Sequence, residues 1–507
     1  MYLYKIITEH PIVIFLCFYI LFTIISWLVI KNKNIESLIK YLIKFSIFFS
    51  FLSILNYILF IILYIFYENF CDHVEPVVAS LAWLFHTGKP VYNSAGSGEL
   101  YSLVYGPVLY IINGFFLTVL GPSIISAKAG GIIVALISIV FNYGTIKKIS
   151  NHRTAFIMSG YITAGYLIFG HCSFWNRSDS FIIFFVSLTL YAMAKNNPLC
   201  AMIIMSLSLG LSVNMKIHSF LYFIPLIILF HEKFKTKMTV YSLTLSAITA
   251  ALPFLIFSNI NFFDYMSWLQ KGTKTEFSKT VFLKNMEFIF LFFIPVIIYE
   301  KNKKYSLSLL ISIFFTSIIA SSTGAGRYHL LPFIPVLSYF FTVILTDLKE
   351  KISLKIISAS MLAIMLMYIF TPYSSINYMG NNKFKRTIQK DLINIMNSYP
   401  GKTIHMGYGD INNYSFTYVR PLLIYRGNPC IIEGPALFGR DIPAQILNKL
   451  KSGYINIWLI PRGSEPFEIR NWDNNKPLFN KEFKKIFYEH YECKNQTEYF
   501  SIWIKKS

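Results

Sequence analysis

Residues 45–76 read FSIFFSFLSILNYILFIILYIF and then YENFCDHVEP. The first run, Phe45 to Phe66, carries no charged side chain. As a helix it is long enough to cross the roughly 30 Å hydrocarbon layer of a bilayer. The second run changes character at once: Glu68, Asp72 and Glu75 stand just past the apolar stretch, and Pro76 is placed to open a new helix. A membrane-crossing helix that ends in a short acidic loop is the unit from which the rest of the chain is read.

Comparable apolar runs recur. Spans are expected at 11–30, 45–66, 124–143, 155–172, 179–194, 198–214, 217–231, 238–258, 286–299, 305–323, 328–346 and 354–371, about 12 in all. The first is followed directly by lysines and lacks a small-residue cleavage site, so it reads as an uncleaved anchor. Composition agrees. Of 507 residues, 55% are hydrophobic, 18% aromatic and 14% charged, with a mean hydropathy of +0.51. A soluble chain carries roughly 25% charged residues. A single water-soluble core, a disordered chain, a coiled coil and a small disulfide scaffold are excluded. The six cysteines form no CxxC pair and suggest no metal cluster.

The net charge of +21 is a matter of topology rather than of nucleic-acid binding. Lys31, Lys33, Lys40 and Lys44 follow the first span, and Lys147, Lys148 and Arg153 the third. Lys233, Lys235 and Lys237, then Lys301, Lys303 and Lys304, then Lys349 and Lys351 mark later loops. All are assigned to the cytoplasm by the positive-inside rule. Segment 67–123 has the single lysine Lys89 against Glu68, Asp72, Glu75 and Glu99, and faces outward. This holds only if the apolar stretch 104–120 lies at the outer surface. Its roughly 17 residues, opened by Tyr105-Gly106-Pro107 and closed by Gly121-Pro122, are too short and too punctuated for a span. Both termini then lie outside. The tail after about 372 has ordinary soluble composition. Strands are expected at 455–460 and 500–504 and a helix over 440–451, making a small α/β domain in which Cys430 and Cys493 are a candidate disulfide.

Four outward clusters carry the polar residues able to do chemistry. Asp72 and Glu75 are candidates for a general base or metal ligand, or for plain helix caps. Arg177 and Asp179 open a span, either as an interfacial ion pair or as a phosphate ligand with a substrate-orienting carboxylate. Lys216 breaks the charge trend at an outer turn, snorkelling or neutralising a lipid phosphate. Arg327 and His329 lie where a later span re-enters the membrane, Arg327 as a second phosphate ligand. Carboxylates and cations at one headgroup plane suit a lipid-linked phosphate donor. A nucleotide-sugar donor would need a cytoplasmic site, and no glycine-rich phosphate loop is seen there.

The chain resembles the GT-C membrane glycosyltransferases, especially the bacterial relatives of protein O-mannosyltransferase and of the aminoarabinose transferase that modifies lipid A. Carrying the resemblance, in the family's order, are Asp72-His73-Val74-Glu75 leading to Gly88-Lys89-Pro90-Val91-Tyr92; Tyr105-Gly106-Pro107-Val108-Leu109, where the family has Tyr-Pro-Pro-Leu; Leu120-Gly121-Pro122-Ser123; Arg177-Ser178-Asp179; Asn214-Met215-Lys216; and Tyr328-His329-Leu330-Leu331-Pro332. They cover about residues 45–345. The resemblance implies a mostly α, polytopic helical bundle with juxtamembrane helices in the first outward loop and a C-terminal extracytoplasmic α/β domain. It divides the chain into an anchor and cytoplasmic loop (1–44), a catalytic bundle (45–371) and the outer domain (372–507). It further implies a polyprenyl-phosphate sugar donor, inversion at the anomeric carbon, and an enzyme of the cytoplasmic (inner) membrane of the cell envelope.

By carry-over, Asp72 matches the catalytic first-loop aspartate, with Glu75 as the alternative. The family has an acid directly after that aspartate, where this chain has His73. Arg177, Lys216 and Arg327 would hold the donor phosphate, and Asp179, His329 and Tyr105 would contact substrate. No cofactor is required by these residues; a divalent metal is an open option, as some relatives use one. The acceptor would be a glycolipid, a polysaccharide or a protein. The rival function is a transporter or flippase of a lipid-linked glycan, which calls for charges deep in the spans and pseudo-symmetric halves.

Overall fold

A computed structural model describes residues 35–94, 97–272, 277–292, 303–322, 325–347, 387–437, 440–471 and 475–506. The expected spans 11–30 and 354–371, the second half of 286–299, and the expected domain boundary at 372 lie outside the described residues.

Helix α1 is Ile35–Phe66. Its packing face is built from small and hydroxylated side chains. Ser46, Ser50, Ser53, Tyr57, Phe60 and Tyr64 are buried, while Phe45, Phe48, Phe51, Leu55 and Leu59 are exposed. Water-soluble proteins show the reverse. Phenylalanines outside and serines inside are what lipid asks for, because close backbone approach rather than apolar burial holds helices together there. Helix α5, His152–Leu167, uses this surface: the Ser50 hydroxyl donates to the Ile157 carbonyl at 3.3 Å.

Helices α2 (Glu75–His86) and α3 (Pro107–Leu120) pack on each other after α1. Both begin with proline in the first turn, which loses no helical hydrogen bond there. The 14 residues of α3 reach only about 21 Å, short of the bilayer core, as the surface placement of 104–120 requires. Then come α4 (Ile124–Ile149), α5, α6 (Ser178–Ala194) and α7 (Pro198–Met215). Ser123, Asn151 and Asn197 cap α4, α5 and α7 by accepting from the backbone N–H three residues on. Helix α8 runs Phe220–Ile256 but is broken at Lys235 (φ 69, ψ 170), between the two spans expected at 217–231 and 238–258. Helices α9 (Phe262–Gly272), α10 (Lys279–Phe292), α11 (Lys303–Ile319) and α12 (Phe333–Asp347) follow.

Among the described residues four helices are long and apolar enough to cross a membrane: Ile43–Phe66, Ile124–Ile149, Pro198–Met215 and Ile217–Ile256. Ser178–Ala194 and Phe333–Ile344 are apolar but shorter. Chain connectivity sorts the bundle's ends. Lys147 and Lys148 close α4, Arg153 opens α5, Lys195 follows α6, and Lys303 and Lys304 open α11. The acidic loop after α1, Arg177 before α6, Lys216 after α7 and Tyr328 before α12 lie at the other end.

The C-terminal unit begins with α13 (Ile388–Ser398) and holds a four-stranded sheet ordered β1-β2-β4-β3, with α14 (Pro421–Tyr425), α15 (Ala444–Ser452) and α16 (Lys481–His490). Strand β1 is Ile404–Met406, β2 Ile457–Pro461, β3 Tyr491–Gln496 and β4 Phe500–Lys505. β1 runs parallel to β2, and the other pairs are antiparallel, with Trp458 opposite Trp503. The expected strands and helix are present within a few residues. The candidate disulfide is not: Cys430 is buried with its thiol toward Glu433 at 3.6 Å, whereas Cys493 is exposed on the outer strand β3.

This unit sits on the first loop. Asn69 donates to the Ser415 carbonyl at 3.2 Å, and the His73 and Tyr414 rings lie 6.4 Å apart. Leu100 forms a parallel bridge with Ile432. Arg440 reaches the Trp268 carbonyl (3.2 Å) with its guanidinium over the indole.

Candidate functional site

Four separate stretches meet at that end of the bundle. Arg177 is the residue before α6 and only about 5% exposed. Its Nη1 donates to Asp72 Oδ1 at 3.0 Å. Its Nε and Nη2 donate to the Tyr105 hydroxyl at 3.1 and 2.7 Å, and Nη2 also to the Tyr328 hydroxyl at 2.9 Å. The guanidinium packs against Trp175 (4.1 Å to the ring centre) and Tyr328 (4.8 Å). A planar cation suits such rings, and stacking on them keeps it charged in dry surroundings. Tyr105, Tyr328 and the two aspartates outweigh the burial that disfavours the charge. Burial pushes the Tyr105 phenol up to about 12, so it stays neutral and accepts from the arginine.

Asp72 is held by the Val74 N–H (2.9 Å), by His73 Nδ1 (3.3 Å) and by Arg177. Burial alone would raise its carboxyl; His73 and Arg177 outweigh that and hold it well below the usual carboxylate range. About 20% of its side chain remains exposed.

Glu75 is fully buried. One oxygen accepts from the Tyr64 hydroxyl, and the other from the backbone N–H groups of Cys71 (2.8 Å) and Asp72 (3.0 Å). It ties down the turn that presents Asp72. The two acids left open by the sequence thus stand in different places, one facing Arg177 and one beneath the loop.

A second ion pair lies beside the first. Lys216 Nζ is 2.8 Å from Asp179 Oδ1, with both side chains buried, and Asp179 Oδ2 has no partner among the described residues. Burial draws the Lys216 ammonium below the usual lysine range, against the pull of Asp179. Lys216 lies 5.9 and 5.6 Å from the Tyr105 and Tyr328 ring centres, so the two phenols stand close to both pairs. His329 is buried and stacks on His218, its Nδ1 3.3 Å from His218 Nε2. Arg327 is exposed, and among the described residues no ion pair ties it to this cluster. Its neighbour Tyr328 reaches Arg177 instead. Tyr328, quoted within a motif, was given no role in the site by sequence reading, and Trp175 was missed. The signal was their place next to a quoted charge, one before His329 and two before Arg177.

Local packing needs glycine at two points. A Cβ on Gly106 would sit 1.5 Å from the Asn214 carbonyl oxygen, and one on Gly131 of α4 would sit 1.9 Å from the Trp175 carbonyl oxygen. The Gly106 N–H donates to Met215 at 3.1 Å, and the Val108 N–H to Asn214 Oδ1 at 3.0 Å. This contact brings Tyr105 and Lys216 together and explains a glycine where the resembling family has proline.

Cys71, Glu75 and His171 bring one ligand atom each within 4.8 Å of one another, and His171 Nε2 is buried without a partner among the described residues. Nitrogen, sulfur and oxygen donors suit zinc. Glu75, however, already accepts three protein donors, so the set does not fit a metal as it stands.

Short helices α2 and α3 under a C-terminal α/β unit, with an acid–arginine centre at the loop end of a helical bundle, describe the fold of a GT-C membrane glycosyltransferase, and the chain resembles that class. Residues 105–257 match the family model of dolichyl-phosphate-mannose-protein mannosyltransferase. ArnT from Cupriavidus metallidurans shares the fold. Its apo structure has a TM-score of 0.51 at 11% identity, over 80% of this chain and 92% of that one. The same protein bound to undecaprenyl phosphate gives 0.56 at 12% identity, over 82% and 92%. No curated protein matches the sequence significantly. The expected resemblance and the expected class, a membrane glycosyltransferase of lipid-linked donors, agree with these findings.

Proposed function

We propose that the protein transfers a sugar from a polyprenyl-phosphate carrier to an acceptor at the outer face of the cytoplasmic membrane. The observation that carries this reading is the meeting of Asp72 and Arg177 at the bundle end away from the lysine-rich loops. The positive-inside rule puts that end outside, together with the C-terminal unit that rests on it. The binding of undecaprenyl phosphate by ArnT and the matched family's donor support a lipid-phosphate sugar.

In the reaction the acceptor hydroxyl attacks the sugar's C1 and its proton passes to Asp72. The C1–O bond to phosphate breaks with inversion, and the electron pair leaves on the phosphate. Arg177, an always-charged fork of donors, takes that developing charge. Lys216 lies beside it in its buried pair with Asp179, and Arg327 stands exposed at the same end as a further cation. Asp179 holds Lys216 in place. Glu75 supports the turn.

The test is sugar transfer in proteoliposomes supplied with a polyprenyl-phosphate sugar. Asp72→Asn abolishes transfer, while Glu75→Gln chiefly lowers stability. Wild-type turnover by Asp72→Asn removes Asp72 from the mechanism. Mass analysis of envelope glycans in a deletion strain identifies sugar and acceptor together.

A further inference from the structure

The Asp72–Arg177 pair presents a difficulty for the reaction just described. Both partners are needed, yet each is occupied by the other. Arginine has five N–H donors. Nε and Nη2 are engaged by the two phenols, with Nη2 serving both Tyr105 and Tyr328. Trp175 and Tyr328 rings lie against the guanidinium. What remains is the Nη1 side, where Asp72 sits. That side is also the more open one, since the Asp72 side chain is 20% exposed and Arg177 only 5%. Lys216 offers no free alternative, being bonded to Asp179 in a buried pair. A lipid phosphate that seeks a two-pronged contact with Arg177 must therefore displace the Asp72 carboxylate.

The geometry points to Asp72 as a tethered rival of the donor phosphate, holding its place on Arg177 until a phosphate-bearing lipid displaces it and frees the carboxylate for the acceptor. This rests on the proposed function and adds an order to it: donor first, acceptor second. Displacement leaves Asp72 close by, because the Val74 N–H and His73 still hold it. Like charges on Asp72 and the phosphate then repel across a short distance. That repulsion turns the carboxylate away from Arg177. No covalent bond changes in this exchange; one anion replaces another on the same cation.

The experiment is binding of undecaprenyl phosphate, without sugar, to the full chain in nanodiscs, read by tryptophan fluorescence. If Asp72 competes, its removal helps the ligand. Asp72→Asn binds at least tenfold more tightly than wild type although it does not catalyse transfer, and Asp72→Ser does the same. Arg177→Gln binds more weakly than wild type, and in that background Asp72→Asn gains nothing. Equal or weaker binding by both Asp72 variants, with Arg177→Gln still impaired, overturns the competition and leaves the donor reading intact. If neither wild type nor either Asp72 variant binds the lipid, the donor reading fails and this inference with it.

Discussion

Replacing Lys216 by methionine separates the fold's need for this residue from the reaction's. The ammonium lies 2.8 Å from Asp179 Oδ1, and the aspartate side chain is 0% exposed. Its other oxygen has no partner among the described residues. Methionine keeps most of the stem and removes the charge. Asp179 is then a buried carboxylate with neither oxygen paired, a cost of about 3–5 kcal/mol. The intact pair is worth little against a well-packed apolar pair, so adding Asp179→Leu to Lys216→Met recovers stability to within about 1 kcal/mol of wild type. Unfolding in mixed micelles of rising sodium dodecyl sulfate content, followed by tryptophan fluorescence, measures both variants. The double variant, though folded, lacks a cation beside the phosphate site, and its transfer rate falls at least about 100-fold. A single variant within about 0.5 kcal/mol of wild type refutes the reasoning, because it means Asp179 is wet or otherwise paired. A double variant no better than the single one refutes it too.

Other outcomes follow from the same geometry. Gly131→Ala pushes a methyl against the Trp175 carbonyl, which costs about 1–3 kcal/mol by overpacking and, by shifting Arg177, lowers donor affinity in the nanodisc assay. Tyr328→Phe removes one donor–acceptor contact to Arg177, worth about 1 kcal/mol. It lowers kcat/KM about fivefold, while Phe in place of Tyr keeps the ring against the guanidinium. Exposed Cys493 on β3 reacts with a membrane-impermeant maleimide on intact spheroplasts, and Cys493→Ser abolishes that signal. Labelling that appears only after permeabilisation contradicts the outward placement of the C-terminal unit.

Much of the bundle was legible because lipid imposes a coarse rule: an uninterrupted apolar run is a helix, and lysines mark one side. The break at Lys235 and the shortness of α3 were found this way, from charge and punctuation. Pairing was not legible. Arg177 read as a phosphate ligand or as the ion-pair partner of nearby Asp179, and Lys216 as a snorkelling or phosphate-neutralising cation, but each lies on a carboxylate that sequence spacing leaves 105 and 37 positions away. Nor could spacing tell Asp72 from Glu75, since the choice depends on which acid the turn folds over. Arg327 drew notice by its charge, while the uncharged Tyr328 beside it makes the contact. In the tail, β2 and β4 carried the β-branched and aromatic pattern. Three-residue β1 was too short to see, and β3 is a polar edge strand, Tyr-Glu-Cys-Lys-Asn-Gln, with no alternation to detect.

Residues 414 and 415, which lean on His73 and Asn69, are made by the ribosome long after the loop they touch. The acidic loop after α1 is thus walled by a late-born part of the polypeptide. A half-finished chain, already threaded into the bilayer, holds Asp72 without that wall. The surroundings of the Asp72 turn are complete only once the C-terminal unit has been made and folded onto it.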